Sequence, residues 1–461
     1  MKRVGIIGAG AAGLFAAYEL GNSGKDFEIT IFEQGRDVSQ RTCTSSERAC
    51  RQCQPCNIMC GVGGAGTYSS GILNLSPHIG GDMELLAGSE EKAQEIIDYI
   101  DKIFLEHGAP ETLFVPENGD HKVDELIRSA AAVDIKYIPV VQRLLGSENS
   151  PAVISAIKNT LEERFGVKFF LNTLVTDVSS DLVLTTAPKA ETFAFDYVVV
   201  APGRVGMTWL ADLCDSLGIQ THHGPIDIGI RVEVPSVIME PICTIQRDPK
   251  FHIYSNKYND FMRTFCVNHE GYVVRELYDD NRVGVNGVSY LTRKSPNSNF
   301  AFLVQVNLTE PLEDSTNYGR NIAKLTTILG GGNPIVQSLG DLRRGRRSTP
   351  SRLEKNPIQR TLKSATPGDI AMAYPARLVD DIMDGLSRLE KVIPGIANNS
   401  TLLYAPEIKY SAKKIEITKN LETVQVPNLF VAGDGAGLSR GIVSAAVTGI
   451  LAARGIIAKE D

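Results

Sequence analysis

The sequence predicts an α/β protein in which a parallel sheet with flanking helices carries an inserted β-rich α+β domain. Short apolar runs that end in glycine occur at both ends of the chain and once near its middle, which is typical of buried parallel strands. Residues 225–307 alternate in short β-rich segments, which is typical of a mixed or antiparallel sheet. The 461 residues are enough for two domains with separate cores.

The composition is that of a soluble globular protein. Hydrophobic residues make up 43% of the chain and charged residues 22%, and no window approaches the ~18 consecutive apolar residues of a membrane helix. We therefore expect no membrane insertion and a cytoplasmic location. The net charge of -7 argues against a nucleic-acid partner, although one local cluster is basic: Arg343, Arg344, Arg346 and Arg347.

The first 33 residues carry a nucleotide-binding pattern. A buried strand at 4–7 is followed by Gly8-Ala9-Gly10-Ala11-Ala12-Gly13 and by a helix at 14–20. In such a turn the first glycine permits the bend, the second lets the backbone approach a diphosphate, and the third lets helix and strand pack closely. The diphosphate binds the unpaired N–H groups of the helix N-terminus. A second strand at 27–32 ends at Glu33, whose carboxylate is placed to accept hydrogen bonds from an adenosine ribose. This order predicts a Rossmann-like dinucleotide site.

The far end of the chain favours FAD as the dinucleotide. A buried strand at 429–432 runs into Gly433-Asp434-Gly435, and residues 441–453 predict an apolar helix of small residues. An aspartate after such a glycine is suited to the ribityl or phosphate oxygens of a flavin. The positive end of the helix dipole stabilises an anionic reduced flavin.

Three further segments complete the predicted cofactor site. Residues 196–203 repeat the strand-to-glycine pattern, and the backbone near Val175 is placed to meet the adenine. Residues 61–66 also satisfy G-x-G-x-x-G, but no apolar strand precedes them, so we predict a loop lying against the flavin. The sequence contains no second strand–turn–helix unit that would bind NAD(P). Either NAD(P)H docks transiently, or another electron carrier reduces the flavin. The predicted FAD contacts are Gly8, Gly10, Ala11, Ala12, Gly13, Glu33, Gly64, Gly66, Thr67, Val175, Ala201, Gly203, Gly433, Asp434, Gly441, Ile442 and Val443.

These motifs resemble known flavoproteins. The N-terminal turn, Ala201-Pro202-Gly203 and Gly433-Asp434 resemble the FAD-binding fold of the glutathione-reductase type. A narrower resemblance is to a group of poorly characterised FAD-dependent dehydrogenases, and it is carried by residues 61–71, 228–233, 264–266, 286–289, 406–409 and 435–446. It implies a bound FAD and an inserted substrate domain, and it supplies no substrate. The chain departs from the group at Lys409, where arginine is usual, and at Ser439-Arg440, where small or aromatic residues are usual.

Five of the eight cysteines fall in one stretch, which begins at Cys43. Four of them are spaced C-x2-C-x2-C-x3-C, as in bacterial ferredoxins, although glycine rather than proline follows the last. Three interpretations stay open: a [4Fe–4S] cluster beside the flavin, a structural zinc site, and free or disulfide-paired thiols, with a disulfide disfavoured in the cytosol. We favour the iron–sulfur cluster, whose ligands would be Cys50, Cys53, Cys56 and Cys60.

The placement of the motifs predicts the domains. The FAD-binding domain is discontinuous, with residues 1–74, 148–213 and 402–461. A cysteine- and glycine-rich loop at 41–66 precedes a helical insertion at 75–147. Residues 214–401 form the substrate or cap domain.

The catalytic candidates are Arg231, Cys266, His269 and Arg440. Arg231 alternates with apolar neighbours on a predicted strand, where an inward-facing arginine has a carboxylate partner, either a protein side chain or an anionic substrate. We favour the substrate. Cys266 is alternatively a buried strand thiol, and His269 an exposed loop histidine.

Two function classes are compatible with the sequence. The first is an enzyme that moves hydride between FAD and an unsaturated or carbonyl-containing small molecule, with electrons from an iron–sulfur cluster or a soluble carrier protein. The second is a flavin-containing redox partner or RNA-modifying flavoprotein that docks through the arginines between Arg343 and Arg347. The net charge favours the first.

Overall fold

The computed structural model describes residues 1–43, 53–117, 119–278, 282–290, 292–307, 314–410 and 412–461. The chain divides into two compact units. Unit 1 comprises Met1–Thr112, Arg143–Gly224 and Ala412–Asp461, and unit 2 comprises Leu113–Gln142 and Pro225–Ser411. In this division residues 75–112, 143–147 and 214–224 lie in unit 1 and residues 402–410 lie in unit 2, and the predicted domain bounds stay a prediction.

Unit 1 is built on a parallel sheet of five strands, which confirms the predicted α/β fold. In spatial order these strands are Leu429–Val431, Tyr197–Val200, Lys2–Ile7, Phe27–Phe32 and Lys168–Phe170. The apolar residues of the central strand are buried, as both faces of a parallel sheet require. The helices of unit 1 are Ala11–Asn22, Met83–Ala87, Glu90–Glu106, Ser150–Glu163, Met207–Leu217 and Ile442–Ile457.

Smaller strand groups accompany this sheet. Leu174–Val178, Val183–Ala187 and Thr192–Ala194 form an antiparallel sheet. Thr221–His222 pairs with Lys414–Ile415. Ile72–Asn74, Leu113–Phe114 and Gln142–Leu144 are further short strands.

Unit 2 is built on an eight-stranded mixed sheet. In spatial order its strands are Thr366–Pro367, Ile335–Ser338, Leu402–Lys409, Ile226–Pro235, Asn297–Val306, Phe261–Asn268, Lys250–Tyr254 and Ile135–Ile138. The last of these strands lies inside the segment predicted to be helical, and it pairs with Lys250–Tyr254. A separate hairpin joins Tyr272–Leu277 to Val283–Val288. The helices are His121–Ala131, Ser236–Cys243, Ser315–Leu329, Leu339–Arg343, Pro350–Glu354 and Ala376–Leu389.

The two faces of the large sheet differ in chemistry, because side chains alternate along each strand. On Ile226–Pro235, the residues Ile228, Ile230 and Val232 join an apolar core with the helix Ala376–Leu389. The alternate positions of the same strand carry charges that are also buried, among them Asp227, Arg231 and Glu233. Buried charges need partners, so the second face must hold a polar network.

Within the described residues, no helix has the length and apolar character of a membrane span.

Candidate functional site

The glycine turn after the first strand has one open position between two crowded ones. Gly8 has φ +99°, and a Cβ there would overlap the carbonyl oxygen of Ala201. A Cβ at Gly13 would overlap the carbonyl oxygen of Gly8. At Gly10, in contrast, φ is -76° and a Cβ would meet nothing closer than the Cα of Gly64, at 3.9 Å. The first and third glycines therefore serve packing, while the second leaves free surface for a ligand to approach.

Two helices of unit 1 begin at glycine turns and have no side-chain cap, and the missing cap is shared with Met83–Ala87, Ser150–Glu163 and Met207–Leu217. Ala11–Asn22 starts after Gly10, and Ile442–Ile457 starts after Gly441. Neither helix has an acidic residue in its first turn. Because the first N–H groups of a helix have no intrahelical partner, both ends favour an anion. The open turn and the uncapped ends suit the diphosphate and the flavin of FAD. The predicted contacts Ala11, Ala12, Ile442 and Val443 lie in these first turns.

Glu33 is 6% exposed and holds three backbone N–H groups. Its Oε2 accepts from the N–H of Ala9 at 2.9 Å, and its Oε1 accepts from Gly35 and Gly61 at 2.8 Å each. Glu33 therefore links the glycine turn to the glycine-rich loop through hydrogen bonds, a structural role that the sequence did not predict. The carboxylate keeps lone pairs for a ribose, and that role stays a prediction.

The glycine-rich loop lies directly against the glycine turn. The N–H of Gly63 donates to the carbonyl oxygen of Ala9 at 2.7 Å, and a short 3-10 helix follows at Gly64–Tyr68. This helix contains the predicted contacts Gly64, Gly66 and Thr67, and a Cβ at Gly66 would lie 2.9 Å from Ile442. Turn, loop and C-terminal helix thus meet in unit 1.

Arg41 organises this loop, and sequence reasoning missed it. The side chain is 3% exposed, stacks 4.8 Å from the centre of the Tyr68 ring, and has its pKa lowered by burial. Its guanidinium binds backbone rather than a carboxylate. The accepting carbonyl oxygens, at 2.7–2.9 Å, belong to Asn57, Ile58, Val62 and Gly64. No sequence signal identifies such a residue, because its partners are main-chain atoms.

The C-terminal glycines and the middle strand end together. A Cβ at Gly435 would lie 2.5 Å from the carbonyl oxygen of Gly203, so the two turns pack without side chains between them. Ala201 directly follows the strand Tyr197–Val200, and Gly433 lies two positions beyond the adjacent strand Leu429–Val431. Asp434 Oδ1 accepts from Ser439 Oγ at 2.6 Å. Burial raises the pKa of Asp434, while the positive charges of Arg204 and Arg440 oppose this shift.

Two other predicted residues, Val175 and Arg440, lie outside the glycine turns. Val175 is buried on Leu174–Val178. The backbone N–H of Arg440 donates to the carbonyl oxygen of Gly80 at 2.7 Å, which fixes a second glycine-containing loop beside the C-terminal helix. The assignment of individual residues as FAD contacts stays a prediction.

The cysteine stretch is only partly described. Cys50 lies outside the described residues, Cys53 and Cys56 are exposed, and Cys60 is buried. Burial raises the pKa of the Cys60 thiol to about 12. Among the residues that the structure describes, no group of three or more His, Cys, Asp or Glu side chains is placed to hold a metal ion.

Arg231, in unit 2, has a protein carboxylate as its partner. Its side chain is fully buried, and Nη1 lies 3.5 Å from Glu407 Oε2. Nε donates to Asn299 Oδ1 at 2.8 Å, and Nη2 donates to the carbonyl oxygen of Cys266 at 2.9 Å. A Cβ at Gly287 would overlap Nη2, so the guanidinium requires glycine there. The structure thus realises the alternative that we did not favour, and a catalytic role for Arg231 stays a prediction.

Cys266 contacts this arginine through its carbonyl oxygen, and His269 follows three residues later. Cys266 is half-exposed, has φ +48° and sits where the pairing register with Asn297–Val306 shifts. A positive φ is costly for a non-glycine residue, and such strain is commonly found at functional sites. His269 Nδ1 lies 3.0 Å from Ser298 Oγ, and burial lowers the pKa of this histidine.

The open glycine turn after the central strand of the parallel sheet is typical of a dinucleotide-binding domain. Three family models match the chain. The model described as FAD-dependent protein, C-terminal domain-like, covers residues 225–410, and the NAD(P)-binding Rossmann-like domain covers residues 6–63. The model of Glucose inhibited division protein A covers residues 383–460. These models indicate an FAD-dependent protein with a Rossmann-like nucleotide-binding domain.

Individual relatives are distant. An uncharacterized protein of Clostridium beijerinckii is 26% identical over 480 residues, which cover 99% of this chain and 81% of that protein. L-proline dehydrogenase from P. horikoshii matches at 14% identity and TM-score 0.41, over 100% of this chain and 94% of the other. Glycine oxidase from Geobacillus kaustophilus matches at 16% identity and TM-score 0.39, over 100% and 96%.

Proposed function

We propose that the protein transfers hydride between bound FAD and a small-molecule substrate. The observation that carries this proposal is the open surface at Gly10 beside the uncapped start of Ala11–Asn22, which suits a diphosphate. The start of Ile442–Ile457 in the same unit favours negative charge on a reduced flavin. When bound, FAD supplies reversible two-electron chemistry.

The protein side chains have to orient the substrate and move a proton. Oxidation of the substrate breaks one C–H bond as hydride and releases one proton to a base, and reduction reverses both transfers. His269 is a candidate base, because burial lowers its pKa and keeps the imidazole neutral near pH 7. Arg231, Cys266 and Arg440 are the other candidates for positioning groups.

The central test is a visible spectrum with cofactor analysis of the purified protein. We expect flavin bands at about 370 and 450 nm and one FAD per chain after acid release. Their absence after reconstitution with FAD would contradict the proposal. Reduction of the bands by a candidate substrate under anaerobic conditions would then identify the reaction direction.

An iron–sulfur relay remains our finer proposal for the cysteine stretch, and it rests on the spacing of Cys50, Cys53, Cys56 and Cys60 alone. Iron and acid-labile sulfide analysis of anaerobically purified protein should give about four of each per chain. With iron absent and flavin present, electrons would come from NAD(P)H or from a soluble carrier.

A second candidate function is a flavoprotein that docks on RNA or on an acidic redox protein. The supporting observation is that Arg343, Arg344, Arg346 and Arg347 are all exposed, in a chain of net charge -7. Arg346 pairs with Asp341 at 2.7 Å, whereas Arg343 and Arg344 bind only an amide and a backbone carbonyl. A salt-sensitive complex that is lost on changing these arginines to alanine would favour this function.

A further inference from the structure

Three cations surround one aromatic ring on the polar face of the unit 2 sheet. From the centre of the Phe265 ring, Lys250 Nζ lies 5.3 Å away, the Arg263 guanidinium carbon 5.2 Å and Lys409 Nζ 5.9 Å. Each distance is within the range of a cation–π contact. We refer to these four residues as the Phe265 cluster.

The pairing of the strands brings the cluster together. Phe265 is paired with Ala301, and Ala301 is paired in turn with Arg231 on Ile226–Pro235. Lys409 is paired with Asp227 on that same strand. Residues two apart on a strand share a face, so Arg263 and Phe265 point the same way. The cluster therefore lies on the face that carries the buried charges, opposite the apolar core.

Together with neighbouring Arg231, the cluster carries more positive than negative charge. Lys250 pairs with Asp248, Arg263 pairs with Asp227 at 2.6 Å, and Lys409 pairs with Glu407 at 2.6 Å. Glu407 is also the carboxylate of Arg231, so these four cations share three carboxylates.

The surplus charge is shielded from water. The side chains of Lys250, Arg263 and Lys409 are 6%, 20% and 8% exposed. Burial and the positive charges of Arg263, Lys136 and Lys250 lower the pKa of neighbouring His252 to about 4. Buried charge without a partner is costly, so the cluster favours an additional anion.

Most hydrogen-bond donors of the cluster are not used by the protein. A lysine has three N–H donors and an arginine five. Among the described residues, Lys250 and Arg263 each make one side-chain hydrogen bond, to the carboxylate with which they pair, and Glu407 is the ion-pair partner of Lys409. In the described part of the chain, their remaining donors are free for an oxyanion.

We propose that the Phe265 cluster binds the carboxylate of the substrate, and that the body of the substrate is aromatic or otherwise unsaturated. The carboxylate would neutralise the surplus charge, and the half-exposed ring of Phe265 would contact the unsaturated body. This inference rests on the proposed hydride transfer and names its substrate class.

The experiment is calorimetric titration of the FAD-loaded protein with benzoate as the probe, in buffer without phosphate and with little chloride. Benzamide has the same shape without the charge, and acetate has the charge without the ring. We expect benzoate to bind at least about tenfold more tightly than either, since a hydrogen bond to a charged group contributes about 1.5–3 kcal/mol. Equal binding of benzoate and benzamide would overturn the proposal.

Variants locate the binding. Lys409→Met should weaken benzoate binding about tenfold or more. Phe265→Leu, which retains an apolar side chain, should weaken benzoate about threefold to tenfold and leave acetate unchanged. The matched control is Lys257→Met, because Lys257 also lies over a ring, 4.8 Å from Tyr258, and pairs with Asp380 at 2.7 Å, yet its side chain is 65% exposed. Wild-type affinity in Phe265→Leu would refute a role of the cluster even where Lys409→Met fails to fold.

The benzoate-binding measurement does not depend on whether the protein turns over a substrate. A protein that binds benzoate as expected but is never reduced by any substrate would contradict the hydride-transfer proposal alone. A flavin that is reduced by uncharged substrates, in a protein that binds no benzoate, would refute the Phe265 cluster as substrate site and leave the oxidoreductase function standing.

Discussion

Replacing Gly10 with alanine should strongly weaken FAD binding without harming the fold. The backbone at Gly10 has φ -76° and ψ -175°, which alanine adopts without strain, and the added Cβ would meet only the Gly64 Cα, at 3.9 Å. The stability of the FAD-free protein should therefore stay within about 1 kcal/mol of wild type.

The expected loss of affinity follows from the N–H groups that the methyl group would screen. If a diphosphate loses two charge-assisted hydrogen bonds to the first turn of Ala11–Asn22, each contributing about 1.5–3 kcal/mol, binding weakens by about 3–6 kcal/mol. This corresponds to a rise in the Kd of FAD of roughly a hundredfold to ten-thousandfold.

The assay combines thermal unfolding of FAD-free protein with FAD titration followed by flavin fluorescence. Gly8→Ala is the contrasting variant, because φ +99° and the overlap with Ala201 should cost about 3 kcal/mol or more and lower the Tm by roughly 6–12 °C. A Gly10→Ala protein that binds FAD like wild type would refute our placement of the diphosphate. So would a Gly10→Ala protein that fails to fold.

Three further predictions concern other parts of the chain. Arg41→Met should lower the free energy of unfolding of unit 1 by about 3 kcal/mol or more, because it leaves the loop carbonyl oxygens without their donor. The control Arg36→Met, at an exposed position, should change the free energy measured by urea unfolding by less than about 0.5 kcal/mol. Equal effects of the two substitutions would contradict the role of Arg41 in the loop. Burial raises the pKa of Asp381 to about 6, so its contribution to stability is fully present below pH 4 and is lost as the pH rises through 6. Asp381→Asn should accordingly gain stability relative to wild type at pH 7 to 8 and not at pH 4, and a pH-independent difference in urea unfolding would show this to be wrong. In iron-free protein, iodoacetamide should modify exposed Cys56 faster than buried Cys60, whose pKa is raised to about 12. Peptide mapping that finds equal rates would contradict the described burial.

The sequence predicted the parts of the fold that depend on local patterns. The strand at 27–32 has the predicted bounds, and the first helix begins at Ala11 rather than at residue 14 because its first turn belongs to the glycine turn. The strand at 429–432 was also predicted within one residue. Each of these elements is specified by its own apolar run and the glycines that follow, so no distant contact was needed.

The features that sequence reasoning missed depend on contacts between distant residues. Arg41 binds main-chain carbonyl oxygens, which every residue has, so no residue type in the sequence marks its partners. Lys409 lies 159 positions from Lys250, and only the strand register brings both to Phe265. The segment 75–147 was predicted to be helical throughout, and the short strand Ile135–Ile138 was missed. This strand gains its stability from pairing with the distant strand Lys250–Tyr254, so its own sequence does not identify it.

The parallel sheet of unit 1 also constrains when the protein becomes functional in the cell. Its edge strand Leu429–Val431 pairs with Tyr197–Val200, yet it is synthesised about 230 residues later. During translation at about 5–20 residues per second, the strand Tyr197–Val200 therefore waits roughly 11–46 seconds for the strand that leads into Asp434. The apolar side of Tyr197–Val200 stays without its neighbour for that interval, which exposes a sheet edge to aggregation. Cofactor loading is consequently a late event, and cells starved of flavin should accumulate a full-length chain whose C-terminal strand and helix are the first parts to be attacked by proteases.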